Sequence, residues 1–104
     1  MGSPLKAVPA GRIRWTRKAF QNLEMAVLYV AEDNPKAAGE LAKKIYQSIN
    51  VLGAHPQIGR PGRCKGTREL VISGTPYIVP YRVHGQKVEI LTVLHGAKKW
   101  PLRF

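Results

Sequence analysis

Cationic side chains in the last third of the chain are of the types that bind an anion and act on it. They are Arg68, Arg82, His95, Lys98 and Lys99. Guanidinium groups bind phosphate or carboxylate oxygens in a bidentate manner, and imidazole exchanges a proton near neutral pH. The only acids between Gly66 and Pro101 are Glu69 and Glu89, so we expect uncompensated positive charge that binds an anion.

RNA cleavage is the chemistry that this set could perform. Attack by a 2′-hydroxyl needs a base, the leaving oxygen needs an acid, and the charged intermediate needs a cation. His95 could serve as the acid or base while Arg68 and Arg82 hold the phosphate. His95 could instead bond a nearby carbonyl at a strand end. Arg68 could pair with Glu89 across the sheet, and Arg82 could be a solvated residue with a packed stem.

A second set of residues could contact an anionic target without performing chemistry. Its members are Arg60, Arg63, Lys65, Lys98, Lys99 and Trp100. The tryptophan is expected to anchor a core or an interface. The histidines and Cys64 lack metal-ligand spacing, and the glycines near Arg60 lack P-loop spacing, so neither a metal site nor a cofactor site is predicted.

The bulk composition favours one small domain with a polyanionic partner. With 104 residues and 44% hydrophobic residues, the chain suits a flexible tail over 1–10 and a single domain over 11–104. The formal net charge of +11 indicates nucleic acid, an acidic protein or an anionic membrane as partner. Four of the six acids precede residue 41, so the second half is the anion-seeking half.

The expected location follows from cysteine content and hydropathy. Cys64 is the single cysteine, which forms no intrachain disulfide and fits a reducing compartment. The first residues contain no apolar segment of signal-peptide length, and no apolar run approaches the length of a membrane span. We therefore expect a cytoplasmic protein with no membrane partner.

The first half of the chain predicts a strand and two amphipathic helices. The strand is expected at 11–15. Apolar residues at helical spacing then predict helices over Thr16–Ala31 and over 35–52, with Thr16 and Asn34 as cap residues. Two adjacent helices joined by a short turn indicate an antiparallel hairpin.

The second half predicts a basic loop followed by antiparallel strands. Glycines and prolines over 55–66 argue against regular structure. Strands are expected over 67–73, 77–83 and 87–95. Pro80 donates no ladder hydrogen bond, so a bulge or local edge is expected beside it. The order β-α-α-β-β-β predicts an α+β fold, a helical hairpin packed on a three- to four-stranded, mainly antiparallel sheet.

Short motifs follow one another along most of the chain. They are W-T-x-x-A at Trp15, DNP-x-A-A at Asp33, HPQIGRPGR at His55, GTREL at Gly66, PYIVPYRV at Pro76 and VEILTVLHGAKKWP at Val88. In this order and spacing they resemble the RelE/ParE superfamily, the toxins of bacterial type II toxin–antitoxin modules. The resemblance covers Ile13 to Pro101 and implies the RelE/ParE-like fold.

The resemblance implies a toxin with one of two targets. One branch of the superfamily cleaves messenger RNA on the ribosome, and the ParE-like branch poisons DNA gyrase without catalysis. The closing strands, YR-V and VEIL-VLH, resemble the ParE-type and plasmid-stabilisation members. RelE-type ribonucleases carry an arginine early in the third strand, where this chain has Tyr77 and places its arginine later, at Arg82. This departure favours the gyrase-binding branch.

The resemblance also implies a protein partner. A cognate acidic antitoxin would neutralise the toxin in a hetero-oligomer, and we expect its acidic segment to cover the basic sheet and exposed apolar surface. The predicted function is growth inhibition through binding of DNA gyrase. The alternatives are a ribosome-dependent mRNA endoribonuclease and a non-toxic relic that only binds the antitoxin.

Overall fold

Two helices cover one face of a mixed sheet in the computed structural model, which describes residues 12–97 and residue 100. Helix α1 spans Arg17–Asp33, helix α2 spans Pro35–Asn50, and a 3₁₀ turn at Val51–Gly53 follows. The predicted α+β fold with a helical hairpin is confirmed. The tail predicted over 1–10 lies outside the described residues.

Hydrogen-bonding side chains fix where both helices begin. The Thr16 hydroxyl accepts a hydrogen bond from the first turn of α1 at 3.0 Å and donates one to the Ile90 carbonyl at 2.9 Å. The Asn34 side chain accepts from the Ala37 N–H at 3.1 Å, and Pro35, which has no N–H to satisfy, follows it. Both predicted caps are confirmed, and Thr16 also fastens α1 to the sheet.

The sheet has five strands in the order β1-β5-β4-β3-β2, and a sixth that pairs with the start of β4. They are β1 Ile13–Trp15, β2 Arg60–Pro61, β3 Arg68–Val71, β4 Tyr77–His84, β5 Lys87–Ile90 and β6 Leu94–His95. β1 runs parallel to β5, and the other pairs are antiparallel. The sheet is wider than the predicted three or four strands because β2, inside the segment predicted to be irregular, pairs with β3.

A bulge faces Pro80, as the sequence predicts. β5 ends opposite Tyr81 and β6 begins opposite Ile78, so residues 91–93 stand against only two residues of β4. Pro80 has no N–H for the ladder, while its carbonyl accepts a hydrogen bond from the first residue of the bulge at 3.0 Å. The strand predicted over 87–95 is therefore interrupted in its middle.

Strand alternation divides the sheet into a helix-facing side and an outer side, because cross-strand partners share a side and successive residues alternate. Val79, Tyr81 and Ile90 point towards the helices and are buried with Ile45 and Ile49 in the core. The opposite side, here called the outer sheet face, carries mainly charged residues. They are Arg14, Glu69, Arg82, His84, Lys87 and Glu89.

Tyr81 joins the buried sheet to the loop before β2. It is fully buried, its hydroxyl donates to the Pro56 carbonyl at 2.7 Å, and the same oxygen accepts from the Gly59 N–H at 2.8 Å. Tyr81→Phe leaves both backbone groups without this partner, so we expect the free energy of unfolding to fall by about 2 kcal/mol. Urea denaturation measures the loss. Tyr46→Phe, on the exposed helix surface, is the control and should change stability by less than about 0.5 kcal/mol.

The pH dependence of the free energy of unfolding at alkaline pH tests the same residue. Burial raises the pKa of Tyr81 above its ordinary 10.0, against the opposing effects of the Gly59 N–H and Arg68. The unfolded chain then loses its phenol proton first, so this stabilisation is complete below pH 10.0 and falls as pH rises towards the folded-state pKa. Burial and Tyr29 also raise the pKa of Tyr77. Above pH 10.0 the free energy of unfolding should therefore fall less in Tyr81→Phe than in the wild type. The variant should still show the part of the fall that Tyr77 causes.

Candidate functional site

A buried carboxylate pairs with two arginines of the set that could contact an anionic target. Glu69 is 3% exposed, and Arg60 binds its Oε1 through Nη2 at 3.0 Å and Nε at 3.1 Å. The backbone N–H of Arg63 donates to Glu69 Oε2 at 2.8 Å, and the side-chain Nε of Arg63 lies 3.7 Å from the same oxygen. Both arginine side chains stay half exposed but share one carboxylate. Their positive charge is therefore partly compensated, while both side chains remain accessible to a target.

Glu89 is the second carboxylate on the outer sheet face. Arg82 Nη1 lies 3.9 Å from Glu89 Oε1, and His84 Nε2 lies 3.6 Å from the same oxygen. Arg14 is the partner of Glu89 in the β1–β5 register, so its side chain is on the same face. Arg82 and His84 therefore share this one carboxylate, with Arg14 on the same face of the sheet.

The Arg68–Glu89 ion pair that the sequence allows does not form. Arg68 is opposite Tyr81 in β4, so its side chain lies on the helix-facing side of the sheet. Its Nη1 donates to the Gly59 carbonyl at 2.7 Å and to the Gln57 carbonyl at 3.3 Å. Arg68 therefore holds the loop before β2 against the sheet.

The three residues considered for catalysis are not brought together. Arg82 follows Tyr81 in β4, so Arg82 and Arg68 lie on opposite sides of the sheet. His95 is opposite Tyr77, four residues from Tyr81, which is about 13 Å along the strand at the usual rise per residue. In this arrangement one phosphate does not reach all three side chains.

His95 is oriented by the groups around it at the end of the sheet. Its Nδ1 accepts a hydrogen bond from the Ala97 N–H at 3.2 Å, whereas the sequence suggested a bond to a carbonyl. Its ring lies edge-on to Tyr77, with 5.5 Å between the ring centres. Both contacts position the imidazole without supplying it a charged partner.

Trp100 contacts the basic loop that contains Arg63. The Arg63 guanidinium carbon lies 3.5 Å from the centre of the Trp100 ring, which is a cation–π contact. Trp100 Nε1 also donates to the His95 carbonyl at 3.4 Å. Arg63 therefore links the buried Glu69 carboxylate to Trp100 near the end of the chain.

Apolar side chains on the helices form a surface that the sequence motifs did not indicate. Met25, Leu28 and Tyr29 on α1 are 67%, 64% and 73% exposed. Phe20, one of the apolar residues whose helical spacing predicts α1, is also exposed. The apolar residues of α1 are more than one core-facing stripe can hold. Such an excess in a sequence indicates an exposed apolar patch that binds a partner.

Two apolar grooves flank this surface. The hairpin groove lies between α1 and α2, has a volume of about 250 Å³ and is lined by Phe20, Leu28 and Tyr46 among others. The sheet groove lies between the helices and the start of β4, has a volume of about 450 Å³ and is lined in part by Tyr29 and Tyr77. Leu28 lines the hairpin groove and Tyr29 lines the sheet groove, so these two neighbours form a ridge with one groove on each side.

Charge is divided between the two layers of the fold. Helices α1 and α2 carry five cations and four acids, which nearly cancel. Residues 51–97 carry six cations and two acids, a net charge of +4 with histidines neutral. Lys65 is exposed in this basic part, whereas Lys98 and Lys99 lie outside the described residues. Exposed apolar surface on the helices and positive charge on the sheet suit two different partners.

The sequence and fold match a known class of toxin. The ParE toxin family of type II toxin–antitoxin systems (parDE) matches residues 13–100, and the chain belongs to this family. Y4kP of Sinorhizobium fredii, a protein named as a toxin, is 46% identical over 90 residues, which cover 86% of this chain and 93% of that protein. Toxin RelE2 of Caulobacter vibrioides is 29% identical over 87 residues, which cover 84% of this chain and 97% of that toxin.

A solved structure shares the fold. A chain of the chromosomal ParDE TA system from P. aeruginosa matches with a TM-score of 0.71 and 28% identity, over 78% of this chain and 90% of that chain. The RelE/ParE resemblance is confirmed, and the protein is a toxin of a type II toxin–antitoxin system. No helix in the described part of the chain is long and apolar enough to cross a membrane. Within 12–97 and residue 100, no three His, Cys, Asp or Glu side chains are grouped to hold a metal ion.

Proposed function

We propose that this toxin arrests growth by binding DNA gyrase and that a cognate antitoxin neutralises it. The observation that carries the proposal is the separation of Arg68, Arg82 and His95, which leaves the described residues without the assembled ribonuclease site that the sequence allowed. This separation favours a toxin that acts by occupying its target. Membership of the ParE family supports a binding mechanism as well.

The antitoxin would bind the helical layer of the toxin. The ridge of Leu28 and Tyr29, with a groove on each side, accepts the apolar face of an amphipathic helix. Because the charges of α1 and α2 nearly cancel, burial of apolar surface is the main source of affinity there. This location differs from the expectation that an acidic segment covers the sheet, and it leaves the outer sheet face open.

Parallel assays on purified toxin separate the two possible targets. We expect the toxin to block DNA supercoiling by purified gyrase and to leave transcripts intact on translating ribosomes. Cleaved transcripts with unaffected supercoiling would instead identify a ribosome-dependent endoribonuclease. Activity in neither assay would identify a non-toxic protein that only binds its antitoxin.

His95→Ala tests the mechanism at one residue. We expect half-maximal inhibition of gyrase at a toxin concentration within about twofold of the wild type, because the imidazole is held by Tyr77 and Ala97 at the surface. A general acid or base would cost about 100-fold or more in rate. The supercoiling assay measures the first outcome, and a loss of that larger size in any toxic activity would show that His95 acts chemically.

A further inference from the structure

We propose that the outer sheet face binds the phosphate backbone of duplex DNA. The inference rests on the proposed gyrase function for its setting, because DNA is then present beside the bound toxin. The proposed site consists of five side chains at one end of the sheet, here called the outer cluster. They are Arg14, Arg82, His84, Lys87 and Glu89.

Strand register places the outer cluster in two adjacent rows. Arg14, Glu89 and Arg82 are cross-strand partners in β1, β5 and β4, and His84 and Lys87 are partners in the next row on the same face. Neighbouring strands are about 4.8 Å apart, and alternate residues of a strand are about 7 Å apart. The backbone atoms that carry these side chains therefore lie within roughly 12 Å of one another.

Positive charge is in excess in the outer cluster. Arg14, Arg82 and Lys87 stand against the single carboxylate of Glu89, a net charge of +2 with His84 neutral. The Arg82 side chain is 34% exposed beside Glu89, and Arg14 and Lys87 are exposed. Glu89 therefore orients Arg82 without covering it. Arginine and lysine side chains in such positions supply most contacts to DNA phosphates.

The composition of this face favours a duplex backbone over unpaired bases. Single-stranded DNA and RNA bind largely by stacking bases on aromatic rings. Tyr77 and Tyr81 point to the helix-facing side, and the outer cluster contains no phenyl, phenol or indole ring. Trp100, the tryptophan near the end of the chain, already has Arg63 stacked on its ring. Phosphate contact is therefore the interaction that the cluster offers.

Fluorescence anisotropy of a labelled DNA duplex with the purified full-length toxin tests the proposal. Three phosphate contacts predict a roughly fortyfold fall in affinity between about 50 and 200 mM NaCl. Arg14→Gln should weaken binding about tenfold at the lower salt and reduce the slope of log affinity against log salt by about one. Glu89→Gln removes the carboxylate of the cluster and should tighten binding.

Lys43→Gln is the matched control for these variants. It removes one positive charge from an exposed position in α2, on the other layer of the fold. It should weaken binding far less than Arg14→Gln, and circular dichroism checks that each variant is folded. Equal weakening by Lys43→Gln, tighter binding of a single strand of the same length, or weaker binding by Glu89→Gln would each overturn the proposal.

The DNA proposal and the gyrase proposal fail separately. A toxin that inhibits purified gyrase but binds no duplex by itself overturns the assignment of the outer cluster alone. A toxin that binds duplex DNA through the outer cluster but leaves supercoiling unaffected overturns the proposed function, and the DNA site stands.

Discussion

Leu28→Glu should abolish neutralisation of the toxin by its antitoxin. Leu28 is 64% exposed on α1 and borders the hairpin groove, so a glutamate there would bring an unpaired charge into an apolar interface. We expect antitoxin affinity to fall at least about 100-fold, which corresponds to about 3 kcal/mol. Calorimetric titration of toxin with antitoxin measures the loss, and co-expression of the antitoxin should no longer rescue growth.

Val71→Glu supplies the matched control. Val71 is also exposed and apolar, but it lies in β3 and lines neither groove. The Val71→Glu toxin should bind the antitoxin as tightly as the wild type does. Unchanged affinity in Leu28→Glu, or an equal loss in Val71→Glu, would place the antitoxin on the basic sheet instead. Affinity would then fall steeply with salt, because screened charge would supply the attraction.

Gly62→Ala should disrupt the pairing of β2 with β3 and weaken the whole fold. A Cβ at Gly62 would overlap the Thr67 hydroxyl and lie 2.9 Å from the Thr67 carbonyl carbon, which is backbone and does not rotate away. The Gly62 N–H donates to the Thr67 carbonyl at 2.8 Å, and the strain would break this bond. We expect the free energy of unfolding to fall by about 2–4 kcal/mol, measured by urea denaturation.

Gly39→Ala is the control of opposite sign. Gly39 lies inside α2, and among the described residues, apart from its chain neighbours and the backbone of its own helix, no atom lies within 4 Å of the position that its Cβ would take. Alanine in a helix interior should stabilise the protein by about 0.5–1 kcal/mol. Tryptophan fluorescence should change in Gly62→Ala, because Arg63 stacks on Trp100, and should stay constant in Gly39→Ala. A Gly62→Ala protein as stable as the wild type would contradict the close approach to Thr67.

Local signals in the sequence predicted most of the fold. The caps at Thr16 and Asn34 depend on neighbours within one helical turn, and both form as predicted. The bulge facing Pro80 follows from the missing N–H of that residue alone. Such features are visible in a sequence because the residues that cause them are close together.

Features that depend on distant residues were missed. The strand at Arg60–Pro61 forms inside a loop-like sequence because β3 lies beside it and Glu69 binds the loop arginines. Arg68 and Arg82 lie on opposite sides of the sheet because side chains alternate along a strand. Which residues surround each arginine depends on how β3, β4 and β5 pair. The periodicity of apolar residues therefore predicted the helices and strands. The arrangement of the site residues could not be predicted, because it depends on the register between strands.

The parallel pairing of β1 with β5 orders events during protein synthesis. Thr16 bonds Ile90, which lies 74 positions later, so the first strand and the Thr16 hydroxyl gain their partners in the sheet only after β5 has been synthesised. Helices α1 and α2 are neighbours and associate much earlier. We expect the nascent chain to form the hairpin groove beside Leu28 while the charged sheet is still unmade, so this half of the proposed antitoxin site is ready before the outer sheet face exists.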